Sequence, residues 1–156
     1  MNYWLFKSEP DTFSIDALAA LPRQTACWEG VRNYQARNML RDQMRRGDLG
    51  FFYHSSCAEP GIAGTVKVVR EGYADYTAFD PASRYFDADS DPASPRWFMV
   101  DVALLRRFAQ PVTLSTLHSH AGGRLRDLQI LRRGNRLSVT PVTAAQWNFI
   151  NSLAID

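Results

Sequence analysis

The sequence predicts an α+β domain in which a small, curved, mixed β-barrel is flanked by short helices. About five segments show strand patterns, and the helical segments are few and lie near the ends of the sheet-forming region. The regular β–α alternation of a parallel doubly wound sheet does not occur. The length of 156 residues suits one domain, and we assign residues 1–156 to it.

The strands are predicted from aromatic and β-branched residues and from alternation along the chain. An aromatic opening segment ends before Pro10, and two later apolar segments have the length of buried strands. A long segment before Pro111 alternates apolar and polar residues, and a short one precedes Pro141. The predicted strands are Tyr3–Lys7, Leu49–His54, Ile62–Val69, Trp97–Phe108 and Leu137–Val139. Their order in the sheet does not follow from these patterns.

The helices are predicted from capping residues and from apolar spacings of three and four. The clearest helix is Arg32–Arg46, which Gly47 is placed to end. Ser14 and Thr143 are suitable N-caps for two shorter helices. The remaining predictions are helices at Ile15–Leu21 and Ala144–Leu153, a helical turn at Leu114–His120, a long polar loop at residues 71–96, and an unresolved choice between helix and strand at Arg124–Leu131.

The charge pattern fits a protein that approaches nucleic acid in one orientation, although the formal net charge of +2 excludes a polycation. Only Lys7 and Lys67 among the 18 basic residues are lysine, and arginine suits bidentate contacts with phosphates and base edges. A GC-rich genome is an equally good explanation of that bias. Basic residues cluster late in the chain at 124–136, and aspartates cluster at 75–91.

The sequence predicts an intracellular, cytoplasmic protein. Its N-terminal segment lacks the basic leader and long apolar core of a signal peptide, and no apolar run has the length of a membrane span. Two cysteines do not make a disulfide framework. We therefore expect no membrane partner, and protein partners cannot be assigned.

Three polar and aromatic segments at predicted element ends could form a pocket for a base flipped out of its strand: residues 7–10, 27–38 and 52–57. Trp28 would be the stacking surface, with Trp97 or Tyr34 as a second wall. Polar candidates for the base edge are Ser8, Glu9, Asn33, His54 and Ser55. Candidates for phosphate contacts are Arg32, Arg37 and Arg41.

Each candidate also has a structural explanation. A tryptophan that follows a loop is more often a core residue, and Asn33 near a helix start is more often a cap. His54 at a strand end is more often a structural histidine, and an arginine stripe is more often a solvated helix face. Only the coincidence of the three segments favours a pocket.

The chain resembles the EVE domain family along nearly its whole length. The similarity is carried by the following runs: Y-W-L-F-K-S-E-P at 3–10, W-E-G-V-R-N-Y-Q-A-R-N at 28–38, G-D-L-G-F-F-Y-H-S at 47–55, P-G-I-A-G-T-V-K-V-V at 60–69, P-R-W-F-M-V-D-V at 95–102 and R-L-S-V-T-P-V at 136–142. The second run is long and highly specific.

The resemblance implies a PUA-like fold, a small curved β-barrel with flanking helices, and kinship with YTH and ASCH domains. It implies recognition of a modified base, such as 5-methylcytosine or its oxidised forms, in DNA and also in RNA. The residues that fall in the family's pocket blocks are Ser8, Trp28, Asn33, His54, Ser55 and Trp97. We expect Trp28, Asn33 and Ser8 to be the most direct contacts.

Two other functions compete with base binding. An enzyme would need Cys27 or Cys57 paired with a histidine, but no motif fixes a nucleophile beside a base. Phosphate-loop and zinc-deaminase motifs are missing, so we predict no cofactor, no metal site and no catalysis. A protein-interaction adaptor would use the aspartate-rich loop, although Tyr76 and Tyr85 indicate a loop packed by its own aromatic residues.

Overall fold

The computed structural model describes residues 1–155, which form one six-stranded mixed sheet with the order β2-β5-β4-β3-β1-β6. The central strands β1 and β3 are parallel, and the other neighbouring pairs are antiparallel. The predicted α+β class is confirmed. Among these residues the strand pairing runs from β2 to β6 without closing, so the sheet is an open form of the predicted barrel. The strands are β1 (Tyr3–Ser8), β2 (Thr25–Cys27), β3 (Leu49–His54), β4 (Gly61–Ala74), β5 (Phe98–Thr113) and β6 (Val139–Val142).

Four short α-helices flank the sheet: α1 (Ile15–Ala20), α2 (Tyr34–Asn38), α3 (Leu114–Ser119) and α4 (Ala144–Leu153). Each begins at a side-chain cap, and the cap of α4 is a reciprocal capping box between Thr143 and Gln146. Short 3-10 turns lie at Pro22–Gln24, Tyr76–Phe79 and Gln129–Leu131.

The predicted helix Arg32–Arg46 is shorter in the structure than its periodicity indicates. α2 starts at Tyr34 and continues as a π-helical turn, Met39–Gln43, in which Met44 N donates to Met39 O over 2.9 Å. The backbone of this turn lies directly against β4, where a Cβ on Gly72 would be 2.6 Å from Leu40 O. The close contact explains why glycine is required there.

Strands also extend past the prolines that were expected to end them. Pro111 lies within β5, where β4 is the only strand paired with β5, because β2 pairs with residues 101–103 and the neighbouring Gln110 makes only an isolated bridge to Ile155. Pro141 lies within β6, which forms an edge of the sheet. An edge position leaves no ladder hydrogen bond for proline to remove. The three-residue strand β2 was not predicted, since it is too short to show alternation.

The sheet buries both faces, so two apolar clusters share it. The face covered by α1 and α2, here called the α1–α2 face, includes Phe6, Leu18, Trp28, Leu40 and Phe52. The face covered by α3 and α4, here called the α3–α4 face, includes Leu5, Phe51, Leu117, Trp147 and Ile150. Adjacent residues of β1 and β3 alternate between the clusters, as the pleat requires.

No helix within residues 1–155 combines the length and the apolar character needed to cross a membrane.

Candidate functional site

A cleft of about 720 Å³ opens on the α1–α2 face, at the end of β1. Four chain segments and one residue beside β6 surround it: the end of β1 with its following turn, the segment through β2, the loop before α2, and the middle of the long loop between β4 and β5. The lining residues are 7–9, 12–13, 21, 25–31, 83–85 and 138. The cleft therefore draws together residues that are distant in sequence.

Trp28 forms an apolar wall of the cleft and belongs to the core at the same time. It is only 6% exposed. Its ring packs edge-on against Phe6 and Phe52, with centroid distances of 5.1 and 5.4 Å, and its backbone N–H donates to Val100 O over 2.7 Å. These contacts fix the ring before any ligand arrives, which favours tight and selective binding.

The turn after β1 presents Ser8 and Glu9 to the cleft. Ser8 Oγ donates to Phe13 O over 2.7 Å, and Glu9 O accepts from Phe13 N over 2.8 Å. The backbone of the turn is thus internally bonded. Within residues 1–155, the Glu9 carboxylate makes no hydrogen bond or ion pair, and it remains free for a ligand.

A buried ion pair joins the loop before α2 to the long loop. Asp75, whose side chain is fully buried, accepts from Gly30 N over 2.9 Å and from Arg32 Nη1 over 3.0 Å. Arg32 Nη2 also donates to Tyr85 O over 2.7 Å. Burial opposes the ionisation of Asp75, but hydrogen bonds from Thr77, Gly30 and Arg32 outweigh it and lower its pKa.

Gly30 brings Tyr85 into the cleft. Its φ of +83° lies in the left-handed region, and a Cβ at this residue would be 2.5 Å from the Tyr85 ring. The ring therefore rests on bare backbone. The ion pair of Arg32 with Asp75 and the contact of Tyr85 with Gly30 together set one side of the cleft.

The cleft presents both hydrogen-bond donors and acceptors. Burial lowers the pKa of Lys7, whose ammonium is a donor. Partial burial, reinforced by nearby Asp75, raises the pKa of Glu29. The Glu29 carboxylate makes no hydrogen bond or ion pair in the described part of the chain. A ligand with a polar edge of mixed character matches this lining better than a simple anion.

The structure brings two of the six predicted base contacts, Ser8 and Trp28, to the cleft surface. The others lie behind it or beside it. Asn33 caps α2 by accepting from Ala36 N, and His54 Nε2 accepts from Ile15 N, each over 3.1 Å. Ser55 N donates to Ser8 O over 2.9 Å. Trp97 is buried, donates to Asp87 over 2.8 Å and stacks on Tyr34 at 5.0 Å.

The three arginines predicted to contact phosphates are all engaged within the protein. Arg32 binds Asp75 and Tyr85 O as described above. Arg37 donates to Arg96 O over 2.6 Å and lies over the Tyr34 ring. Arg41 makes two 2.8 Å hydrogen bonds to Asp42 at the surface. None of the three lines the cleft.

Several cleft residues were not singled out from the sequence as base contacts: Lys7, Phe13, Glu29, Arg84 and Tyr85. Lys7 and Glu29 lie within the polar segments 7–10 and 27–38, so the reasoning that selected Ser8 and Trp28 could also have selected them. Tyr85 was placed only in the packing of the long loop, because no local pattern connects it to Gly30. Gly30 is the one sequence signal, because a glycine lets another group pack directly against the backbone.

The structure gives the cysteines and histidines no metal-binding arrangement. Within residues 1–155, no three His, Cys, Asp or Glu side chains are placed to hold a metal ion. Both cysteines are free thiols, and Cys27 Sγ lies 3.5 Å from the Tyr76 hydroxyl at the edge of the cleft. Burial raises the pKa of Cys27, so its thiolate is disfavoured.

Comparisons with known proteins give a consistent result. Residues 2–153 match the EVE domain. Thymocyte nuclear protein 1 of Mus musculus is 45% identical over 167 aligned residues, covering 97% of this chain and 73% of that protein. A structure of human THYN1 in complex with 5-methylcytosine-containing DNA has 43% identity and a TM-score of 0.93, covering 98% and 97% of the two chains. A Pseudomonas putida protein has 50% identity and a TM-score of 0.91, covering 97% and 98%.

Proposed function

Since the chain belongs to the EVE domain family, we propose that it binds nucleic acid by taking one base of the 5-methylcytosine type into the cleft. One observation carries the proposal: the fixed ring of Trp28 stands beside free carboxylates in a cleft of about 720 Å³. The complex of human THYN1 with 5-methylcytosine-containing DNA supports the same class of ligand. DNA is therefore the proposed partner, and RNA is tested beside it.

The cleft has the size and the walls that a flipped base needs. Ligand pockets commonly span about 300–1,000 Å³, so a nucleobase with part of its sugar fits this volume. A flipped base loses its stacking neighbours and recovers about 1–3 kcal/mol when it stacks on an aromatic ring. Trp28 supplies such a ring, with Phe13 edge-on at a centroid distance of 6.1 Å.

The polar lining matches the edge of cytosine. Cytosine presents an exocyclic amino group as donor, and a carboxylate is the side chain that accepts from it. Glu9 and Glu29 supply carboxylates, and Lys7 supplies a donor for the ring nitrogen or the carbonyl oxygen. Ser8 Oγ donates its one proton to Phe13 O, so it offers the base an acceptor. Thymine and uracil carry a carbonyl in place of the amino group, so a carboxylate would repel them.

A 5-methyl group adds a small apolar surface to the same base. Leu21 and Ala26 are apolar residues of the cleft lining, and a methyl-sized group in a fitted pocket contributes about 1–3 kcal/mol. We therefore expect a roughly 5- to 150-fold preference for the methylated base. That preference requires a rigid cleft, because a wall that moved to fill the space of a missing methyl group would bind cytosine and 5-methylcytosine equally well.

The remaining sequence candidates support the cleft in this proposal. Asn33 holds the start of α2, and Ser55 anchors the backbone of Ser8. His54 accepts from Ile15 N and so fixes the end of the turn that begins at Glu9. Trp97 packs between Tyr34 and Arg32. Arg32 in turn donates a hydrogen bond to Tyr85 O. The proposed function involves binding without a chemical step, in the intracellular compartment where nucleic acid is found.

The proposal is tested by comparing Trp28→Phe with Trp147→Phe. Both tryptophans are nearly buried, but Trp147 lies on the α3–α4 face, away from the cleft. Binding of labelled oligonucleotides with plain, 5-methyl or 5-hydroxymethyl cytosine, as DNA and as RNA, is measured by fluorescence anisotropy. Loss of about 1–2 kcal/mol of stacking predicts roughly 5- to 30-fold weaker binding for Trp28→Phe.

Trp147→Phe should bind as the wild type does, and thermal denaturation should show that both variants are folded at the assay temperature. Equal affinity of the wild type for plain and methylated strands would rule out recognition of the modified base. Equal loss of binding in both tryptophan variants would place the effect in the fold and not in the cleft.

A further inference from the structure

We propose that Arg23, Arg84 and Arg136, here called the arginine rim, bind the phosphates on either side of the base in the cleft. The inference rests on the proposed function for the identity of the base, but it concerns a separate surface. It replaces the expectation that the arginines near α2 meet the phosphates.

The three arginines come from three segments that border one cleft. Arg84 is itself a lining residue. Arg23 lies between Leu21 and Thr25, both of which line the cleft. Arg136 precedes the lining residue Ser138 by two positions. A strand whose base enters the cleft must carry its flanking phosphates across these segments.

The rim arginines have their guanidinium groups available. All three residues are exposed. Within residues 1–155, the side chains of Arg23 and Arg136 make no hydrogen bond or ion pair, and Arg84 only lies over the Tyr85 ring at 5.2 Å. By contrast, Arg32, Arg37 and Arg41 already donate to oxygens of the protein. Free guanidinium groups bind phosphate oxygens without breaking internal hydrogen bonds.

The backbone at Arg23 supports a functional use of its side chain. Arg23 and Gln24 are consecutive non-glycine residues with φ of 57° and 49°, in the left-handed region. The turn is held by Thr25 Oγ1, which donates to Arg23 O over 2.9 Å, and by Gln24 Nε2, which donates to Ala19 O over 3.3 Å. Asparagine or glycine would adopt this conformation with less strain. Arg23 is an exposed residue of this turn, two positions before Thr25 of the cleft lining.

The charges inside the cleft complement those at the rim. Glu9 and Glu29 lie in the lining and repel phosphate, whereas they accept from a base amino group. The rim arginines attract phosphate and carry no information about the base. The two sets of charges therefore orient a strand with its base inwards and its phosphates at the rim, while Lys7 stays in the lining as a donor.

The test compares two triple variants of equal net charge. The rim variant is Arg23→Asn with Arg84→Gln and Arg136→Gln, and the control is Arg41→Gln with Arg45→Gln and Lys67→Gln, none of which lines the cleft. Binding of single-stranded DNA with one 5-methylcytosine is measured from about 50 to 200 mM salt. Each phosphate contact contributes about 0.7 to the slope of log affinity against log salt, so the rim variant should lose about 2 from that slope.

The control variant should keep the slope of the wild type, and both variants should keep its preference for the methylated strand. A rim variant with an unchanged slope, or a control that loses as much, would overturn the arginine rim. So would an Arg23→Asn single variant that unfolds more easily and binds normally, since Arg23 would then be structural. A wild type that prefers neither strand, but whose slope falls in the rim variant, would reject the proposed base recognition and retain the rim.

Discussion

The ion pair between Arg32 and Asp75 holds two loops of the cleft together, and replacing Arg32 by methionine tests its contribution. Methionine keeps much of the length and apolar stem of arginine but removes the charge and the donors. The substitution leaves the fully buried carboxylate of Asp75 without its cation. It also releases Tyr85 O, which accepts from Arg32 Nη2 over 2.7 Å.

The expected loss of stability follows from that burial. Breaking a buried ion pair from one side typically costs about 3–5 kcal/mol. The lower end applies here, because Arg32 is 23% exposed and Asp75 keeps hydrogen bonds from Gly30 and Thr77. We therefore expect Arg32→Met to lose about 3 kcal/mol of unfolding free energy. For a chain of this length the loss lowers the melting temperature by about 6–12 °C.

The pH dependence should carry the same signature. The lowered pKa of Asp75 in the folded protein stabilises the fold above the ordinary aspartate range near pH ~3.9, and this contribution is lost as the pH falls through the folded value. Once Asp75 is protonated, Arg32 no longer has an anion to pair with. The difference in unfolding free energy between wild type and Arg32→Met should therefore have its full size at neutral pH and should decrease below pH ~4.

Urea and thermal denaturation followed by circular dichroism measure both effects. The matched control is Arg41→Met, whose partner Asp42 is at the surface, and its melting temperature should match that of the wild type. A loss below about 1 kcal/mol for Arg32→Met, or a difference from wild type that persists unchanged in acid, would refute the assigned role of the ion pair.

Two further substitutions separate the cleft from the rest of the fold. Gly30→Ala introduces a Cβ 2.5 Å from the Tyr85 ring at a φ of +83°, so we expect a loss of about 1–3 kcal/mol in unfolding free energy. Oligonucleotide binding, measured by fluorescence anisotropy, should also weaken. Normal binding would show that Tyr85 does not shape the cleft. Thr143→Ala removes the capping box of α4, on the α3–α4 face. It should cost about 1 kcal/mol in urea denaturation and leave binding unchanged, and altered binding would contradict the independence of the two faces.

The fold was predictable where local patterns agree with tertiary contacts. The observed bounds of β3 and α4 are those predicted, because an apolar run with the length of a buried strand and a capping threonine are visible in the sequence. Strand β2 was missed, since three residues give no periodicity. β2 is defined only by its pairing with β5, which is a tertiary contact between distant parts of the sequence. The π turn after α2 was also missed, because it depends on the close contact with Gly72.

The site was predictable in part for a similar physical reason. Ser8 and Trp28 fall at element ends and were proposed as pocket residues, and both line the cleft. Their role in binding stays a prediction. Tyr85 was missed because only the folded backbone places it on Gly30. The sequence shows that an arginine is present but not whether an acceptor in the protein already uses it, as Asp75 uses Arg32.

Some side chains of the cleft are already bonded within the protein, and others are available to a ligand. This difference decides how the cleft can bind and discriminate. The ring of Trp28 is held by the core, and the far side of the cleft is held by the ion pair of Asp75, so neither wall needs to be ordered on binding. Binding energy that would otherwise be spent on ordering is then available for discrimination. A rigid cleft discriminates by shape and by unmet hydrogen bonds. Under the proposed arginine rim, the exposed arginines would add attraction without selectivity. Selectivity should therefore follow the stability of the cleft walls, whereas affinity at low salt should follow the charge at the rim.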